Sequence, residues 1–286
     1  MIIKLIIILL VLILVFVLLE SARENRGLRI TKYYIESEKI SSGLKIAVIS
    51  DLHNRLCGKN NRVLIDAVAK ISPDLVLVAG DTINNEKPMV SDNAQNLLIA
   101  LSREYKVFCV NGNHEQFLKS KPDGNAYFQE YKKNLENHGI SYLENGMFTW
   151  NDEVDIYGFE TAVEVYRRFS YGNKIGDSYV SDRLGAPDRS KYNILLSHTP
   201  VYFDSYADWG ADLTVSGHLH GGLIRLPFLG GVISPQCVLF PKYDAGLYQK
   251  NGSNMAVSRG TGSHTLNIRV CNHPEVLELE IKNKRG

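Results

Sequence analysis

Five short apolar runs in this chain each lead into residues that ligate metals, and that pairing limits the fold more than any other feature. The runs are KIAVIS before Asp51, LVLVA before Gly80, VFCV before Asn111, NILLS before His198 and DLTVS before Gly217. Each is four to six residues long and bounded by glycine or polar residues, the pattern of a buried strand. After them come Asp51-Leu52-His53, Gly80-Asp81, Gly112-Asn113-His114-Glu115, His198 and Gly217-His218-Leu219-His220. The chain has eight histidines, and five lie in these segments. Open α/β sheets place their sites just beyond the carboxyl ends of strands, so ligands distant in sequence can converge there.

The remaining pattern fits around those strands. A first strand is expected near residues 28–35, then strands at 45–50, 75–79 and 107–110. Between and after them the spacing predicts helices near 60–71, 91–104 and 126–138, with Val63, Leu64, Ala67, Val68 and Ile71 on one face of the first. This alternation predicts a largely parallel first sheet with helical cover. Strands near 147–149, 154–158, 193–197 and 213–216, and short pieces through Glu278–Ile281, read as a second, mixed sheet packed on the first. Residues 163–191 are the least patterned and carry Arg167, Arg168, Tyr171, Tyr179 and Arg183. They read equally as a surface loop or a substrate lid.

Residues 1–19 are apolar except for Lys4. A helix of about 20 such residues crosses a bilayer core. A cleaved signal needs small residues before the cut, and Glu20 stands where one belongs, so a retained single-pass anchor in the cell membrane is expected. Arg23, Arg26, Arg29 and Lys32 follow the segment. Counted strictly, the positive-inside rule puts the following domain on the cytoplasmic side, although an anchor at the extreme N-terminus is compatible with either side. Lysine plus arginine total 32 against 31 acidic residues, a net charge of +1. Nucleic acid is therefore not an expected partner, since phosphate-backbone binding needs a basic excess. Cys57, Cys109, Cys237 and Cys271 form no C-x-x-C pair and read as isolated thiols.

The ligand residues suit one chemistry. Two divalent ions about 3.5–4 Å apart lower the pKa of a bridging water and clamp the oxygens of a phosphoryl group. Asp81, alone after a glycine, is the natural bridge. Asp51, His53 and His220 complete one site, and Asn113, His198 and His218 the other. Nitrogen and oxygen ligands without thiolate suit Mn, Fe or Zn. His114, adjacent to a ligand, is expected to protonate the leaving oxygen or stabilise the transition state, with Glu115 or another carboxylate orienting it.

On these motifs, and on SGHLHGGLIRLPF at Ser216–Phe228 with Val257–Gly262, the chain resembles the calcineurin-like metallophosphoesterases. Within that superfamily it is similar to the small membrane-associated or exported bacterial phosphodiesterases and to UDP-2,3-diacylglucosamine pyrophosphatases. The resemblance implies an α/β fold, a four-layer αββα sandwich of two mixed sheets flanked by helices, here preceded by a transmembrane helix. It supports the ligand set above, with His114 near the leaving group. It divides the chain into an anchor over residues 1–22, a stalk and first strand over 23–43, and the metallophosphoesterase domain over 44–286. Protein phosphatases of the superfamily extend Gly-Asp with a second Asp and an Arg. Residues 80–85 here (GDTINN) have neither, which disfavours that activity.

The expected function is a membrane-anchored, dinuclear hydrolase of phosphodiester or pyrophosphate bonds that attacks with a metal-bridging hydroxide, with a lipid-linked substrate favoured by the anchor. A phosphomonoesterase or nucleotidase is the alternative, and a non-catalytic scaffold the distant one. Arg225 and Arg259 are candidates to contact a second phosphate or the other arm of the diester. The glycine-rich segment after His220 reads either as a hairpin packed on the sheet or as an apolar groove for acyl chains or a bilayer surface.

Overall fold

The computed structural model describes residues 1–167, 175–222, 224–226, 228–262 and 268–284. Arg168, Tyr171, Leu223 and Pro227 lie outside the described residues. In chain order the elements are α1 (Ile2–Glu24), β1 (Arg29–Ser37), β2 (Leu44–Ile49), α2 (Arg62–Ile71), β3 (Leu75–Val78), α3 (Asp92–Ser102), β4 (Lys106–Cys109), α4 (Asn113–Lys119), α5 (Pro122–Asn137), β5 (Ser141–Tyr142), β6 (Gly146–Thr149) and β7 (Val154–Phe159). They continue with α6 (Ser181–Leu184), β8 (Tyr192–Ser197), α7 (Phe203–Trp209), β9 (Leu213–Ser216), β10 (Arg225–Leu226), β11 (Gly230–Gly231), β12 (Gly246–Lys250), β13 (Ser253–Val257) and β14 (Glu275–Asn283).

Among the described residues, six strands form a first sheet in the order β1-β14-β2-β3-β4-β5 and six form a second in the order β12-β13-β9-β8-β7-β6. Strands β2, β3 and β4 run parallel to one another, as do β7, β8 and β9. Parallel strands are covered on both faces, which is why they read as unbroken apolar runs. Alternation along β2 then sorts the side chains. Ile46 and Val48 point between the sheets, against Ile194, Leu196 and Val215. Ala47 and Ile49 point outward, beneath Leu64, Val68 and Leu97 of the helices. On the outer face of the second sheet, Tyr157, Phe159 and Leu195 pack under Tyr206 and Trp209 of α7. The architecture is the αββα sandwich.

Three local expectations are corrected. The C-terminal strand joins the first sheet, where β14 lies parallel to β1 and antiparallel to β2, instead of extending the second. Its periodicity fixes two buried faces but carries no information about a partner more than 200 residues away in sequence. Helices α4 and α7 were not foreseen; at seven residues each, both are too short for an apolar period to repeat. Helix α5 begins at Pro122 instead of near 126, with proline in the first turn, where its missing N–H costs nothing. The apolar segment is one helix of 23 residues whose residues 5–14 are exposed.

Candidate metal centre

All the ligand-type residues lie just past the carboxyl ends of β2, β3, β4, β8 and β9. The turns that carry them are tight. Asp51, His53, Asp81, His218 and His220 have φ of 52°, 51°, 52°, 71° and 51°. This left-handed region is uncommon for side chains other than glycine and costs of order 1–3 kcal/mol per residue. Glycines let the turns close on one another. A Cβ on Gly112 would collide with the Asp81 carboxylate and backbone, and one on Gly217 with Ser50 and Asp51. Gly112 has φ of −93°, so the obstacle there is space alone. Gly112→Ala is expected to displace Asp81, cost about 1–3 kcal/mol of stability and lower metal content and turnover together. Thermal melting beside metal analysis of the purified variant checks this.

Two sets of atoms converge. Ligand atoms of Asp51, His53 and His220 lie within 4.8 Å of one another, as do those of Asp81, His198 and His218, and His53 and Asp81 form a third such group with His114. His220 Nε2 is 3.3 Å from Asp51 Oδ1 and 3.1 Å from His53 Nε2. Asp81 Oδ2 faces both sets, 3.2 Å from His198 Nε2 and 4.0 Å from His53 Nε2. The other Asp81 oxygen accepts the His114 backbone N–H at 2.9 Å. The carboxylate is thus fixed by one oxygen and presents the second.

The Asn113 side chain completes the second set. Its carbonyl oxygen lies 2.8 Å from His218 Nδ1, 3.2 Å from Asp81 Oδ2 and 3.3 Å from His198 Nε2. An oxygen among three acceptors is repulsive unless the amide turns over or a cation sits among them. A turned amide faces all three as a donor, and a divalent ion would instead meet the oxygen together with His218, Asp81 and His198, a donor set of nitrogen and oxygen that fits a metal centre.

Outer contacts fix the imidazole rings. In the neutral rings, reached when the Nε2 proton is displaced as on metal binding, His198 Nδ1 donates to the Ala79 carbonyl at 2.6 Å and His53 Nδ1 to Asn84 Oδ1 at 3.0 Å, which leaves each Nε2 as an acceptor turned inward. His114 is different. Its Nδ1 accepts the Asn85 backbone N–H at 3.2 Å, so the neutral ring carries its proton on Nε2 and is a donor. Glu115 does not orient His114. It accepts from the backbone N–H groups of Asp81, Thr82, Ile83 and Gly112 and from the Thr82 hydroxyl, holding the Asp81 turn against β4.

Electrostatics follow from this crowding of acceptors. Burial raises the Asp51 carboxyl to about 6, against the opposing pull of His198. Burial also works against ionisation of Asp81, yet His198, His114 and His53 together hold it well below the usual carboxylate range. Burial opposes charge on His198 as well, but Asp81 and Asp51 outweigh it and raise the imidazole to about 9. Positive charge is what this cluster attracts.

Sequence reasoning missed Tyr166. The segment Val163–Tyr166 brings its buried ring against His218 and His198, with centroids 4.9 and 5.9 Å away. Its signal was weak: one aromatic after two spaced valines in an unpatterned stretch. The candidate arginines sit at the rim. Arg225 pairs with Asp244 and bonds the Gly221 carbonyl, at 2.9 and 2.8 Å. Arg259 lies beside Gly221, and its Nε is 3.9 Å from Glu275.

Comparison with known proteins adds what geometry does not. The family model described as calcineurin-like phosphoesterase matches residues 44–222. An uncharacterized metallophosphoesterase of Bacillus subtilis, YkuE, is 28% identical over 270 residues, covering 90% of this chain and 86% of its own. The phosphodiesterase YaeI of Escherichia coli is 27% identical over 247 residues, covering 83% of this chain and 82% of its own. The UDP-2,3-diacylglucosamine pyrophosphatase LpxG of Chlamydia trachomatis is 24% identical over 299 residues, covering 82% of each.

Proposed function

The chain belongs to the calcineurin-like phosphoesterase family, and on that premise we propose that it is a membrane-anchored, dinuclear metal-dependent hydrolase of phosphodiester or pyrophosphate bonds. The observation that carries this reading is the Asp81 carboxylate, which turns one oxygen to both buried ligand sets. Asp51, His53 and His220 would hold one ion, Asn113, His198 and His218 the other, with Asp81 shared between them. Mn, Fe and Zn all accept such nitrogen and oxygen ligands. When bound, the pair of ions supplies an ionised water at neutral pH and neutralises phosphoryl charge.

The protein's own groups do the rest. Asp81 is held rigid by the His114 N–H and, through its turn, by Glu115. His114 offers its Nε2 proton to an oxygen that gains charge as the ester bond breaks. Arg259 supports a second phosphate from the rim, and Arg225 positions the turn after His220. Residues 1–22 anchor the enzyme and residues 23–43 link the anchor to the domain 44–286. The apolar N-terminal helix supports the anchor by its length and composition. Names of relatives support the diester and pyrophosphate classes, and the anchor favours a lipid-linked substrate.

The test uses the full chain in detergent, stripped of metal and reloaded with Mn²⁺. A phosphodiester, a UDP-linked lipid pyrophosphate and a phosphomonoester are compared, with Asn113→Ala as control. Turnover of the diester or pyrophosphate, lost in the control, is expected. Turnover of the monoester alone would move the reading to a phosphatase or nucleotidase.

A further inference from the structure

The N-terminal helix is seated on the globular part. Ser21 and Glu24 of its last turn are buried. The Arg269 backbone N–H donates to Ser21 Oγ at 3.0 Å, and the Glu24 carboxylate meets His273 Nδ1. The Asn25 carbonyl accepts from the Arg55 guanidinium. Glu20 is the first charged residue after the uncharged stretch 5–19, and its carboxylate lies at the Cys271 backbone. A bilayer core takes about 20 helical residues, so in an anchored chain Cys271 lies near the level of the headgroups.

Cys271 also lines a groove of about 500 Å³ with Arg225, Leu226, Phe228 and Gly230. These last four belong to a small β tongue. Strands β10 and β11 pair, Ile233 bridges Leu239, and Ile224 bridges Val270. The strand partner of the tongue is therefore the segment on which the helix is seated. At one end the tongue is rooted at Gly221, next to His220, through Arg225. At its other flank Gln236 Nε2 donates to the Val165 carbonyl at 3.3 Å, in the segment that sets Tyr166 beside the ligand histidines. Along the tongue, on either side of Gln236, Leu226, Phe228, Leu229, Leu239 and Phe240 are exposed. Exposed large apolar side chains gathered on one projection mark an interaction surface. Arg23, Arg26 and Arg29, also exposed beside the helix end, suit anionic headgroups.

We propose that the described residues of 224–240, Leu226, Phe228, Leu229, Leu239 and Phe240 among them, are a second membrane contact, whose apolar side chains enter the leaflet face from which the helix emerges and hold the rim of the metal centre at the bilayer surface. The substrate class is then a phosphodiester or pyrophosphate whose lipid part stays in the membrane. The occupant is the lipid surface, because the tongue is continuous with the seat of the apolar helix. This inference rests on the anchored reading above.

The test places an indole on the tongue by Phe228→Trp in the full chain, reconstituted into phosphatidylcholine–phosphatidylglycerol vesicles with lipid brominated near the top of its acyl chains. The parent, whose Trp150 and Trp209 lie in the globular part, is the reference. The added emission is expected to be quenched by brominated lipid and spared by aqueous acrylamide. Quenching by acrylamide alone, in protein that floats with the vesicles, leaves the anchor standing and overturns the tongue contact. Shielding from both, with self-crosslinking, identifies a second copy as the cover and also overturns it. Protein that does not float with vesicles overturns the anchored reading and this one with it. In a parallel arm, Phe228→Asp with Leu229→Asp is expected to leave a soluble diester unaffected. Hydrolysis of a bilayer-resident lipid pyrophosphate should fall by at least roughly tenfold, the lower end of what burying just one of the two side chains is worth. An equal change on both substrates, or none, counts against the proposal.

Discussion

Asp81→Asn is expected to leave a folded chain that binds both ions more weakly and turns over no substrate. The carboxylate has two tasks that both need an acceptor. One oxygen takes the His114 N–H at 2.9 Å, and the other lies 3.2 Å from His198 Nε2 and 4.0 Å from His53 Nε2. An amide has one acceptor oxygen. Whichever way it turns, its NH₂ group faces either a backbone donor or the cation site. Fold retention follows from the size match and from Glu115, which still holds the turn. Metal analysis, circular dichroism and turnover on one preparation check the three parts. Near-normal activity with full metal content would remove Asp81 from the bridging position.

His114→Ala is expected to keep its metals and lose rate by roughly 10²–10⁴-fold. The trios of Asp51, His53 and His220 and of Asp81, His198 and His218 stand without its ring, which lies in a third group with His53 and Asp81. Its contribution is the Nε2 proton, set in place because Nδ1 is occupied by the Asn85 N–H. If that proton meets the leaving oxygen, the loss shrinks for a nitrophenol ester, whose oxygen needs little help. A loss of the same size for good and poor leaving groups would put the proton on a non-bridging phosphoryl oxygen instead. The comparison needs only steady-state rates for two esters in the variant and the parent.

The strands that carry the ligands were legible because burial on both faces leaves an unmistakable apolar run, as in LVLV at β3. The candidate ligands stood out because aspartate and histidine directly after such runs have few structural uses, and the structure brings these side chains together with that of Asn113. What could not be read depends on contacts across the fold. Glu115 looked like a partner for its neighbour His114, but the turn after Asp81 folds over it and takes both its oxygens. Tyr166 reaches the ligand histidines only because its segment crosses the rim. Arg225 pairs with Asp244, a residue nothing in the local sequence singles out. The partner of β14 was hidden for the same reason, since strand order in a sheet is not a local property.

That strand order has a consequence during synthesis. β1 and β2 follow one another in the chain but never touch; β14 lies between them. About 240 residues separate the end of β1 from the start of β14, and at ribosomal rates of about 5–20 residues per second they take roughly 10–50 s to make. Through that interval the edge of β2 lacks its partner while the apolar helix ahead of it has already emerged. The nascent chain therefore carries two sticky surfaces at once, and its domain can close only after translation has passed β14. A protein built this way depends on whatever shields an unpaired strand edge while the rest of the chain is made.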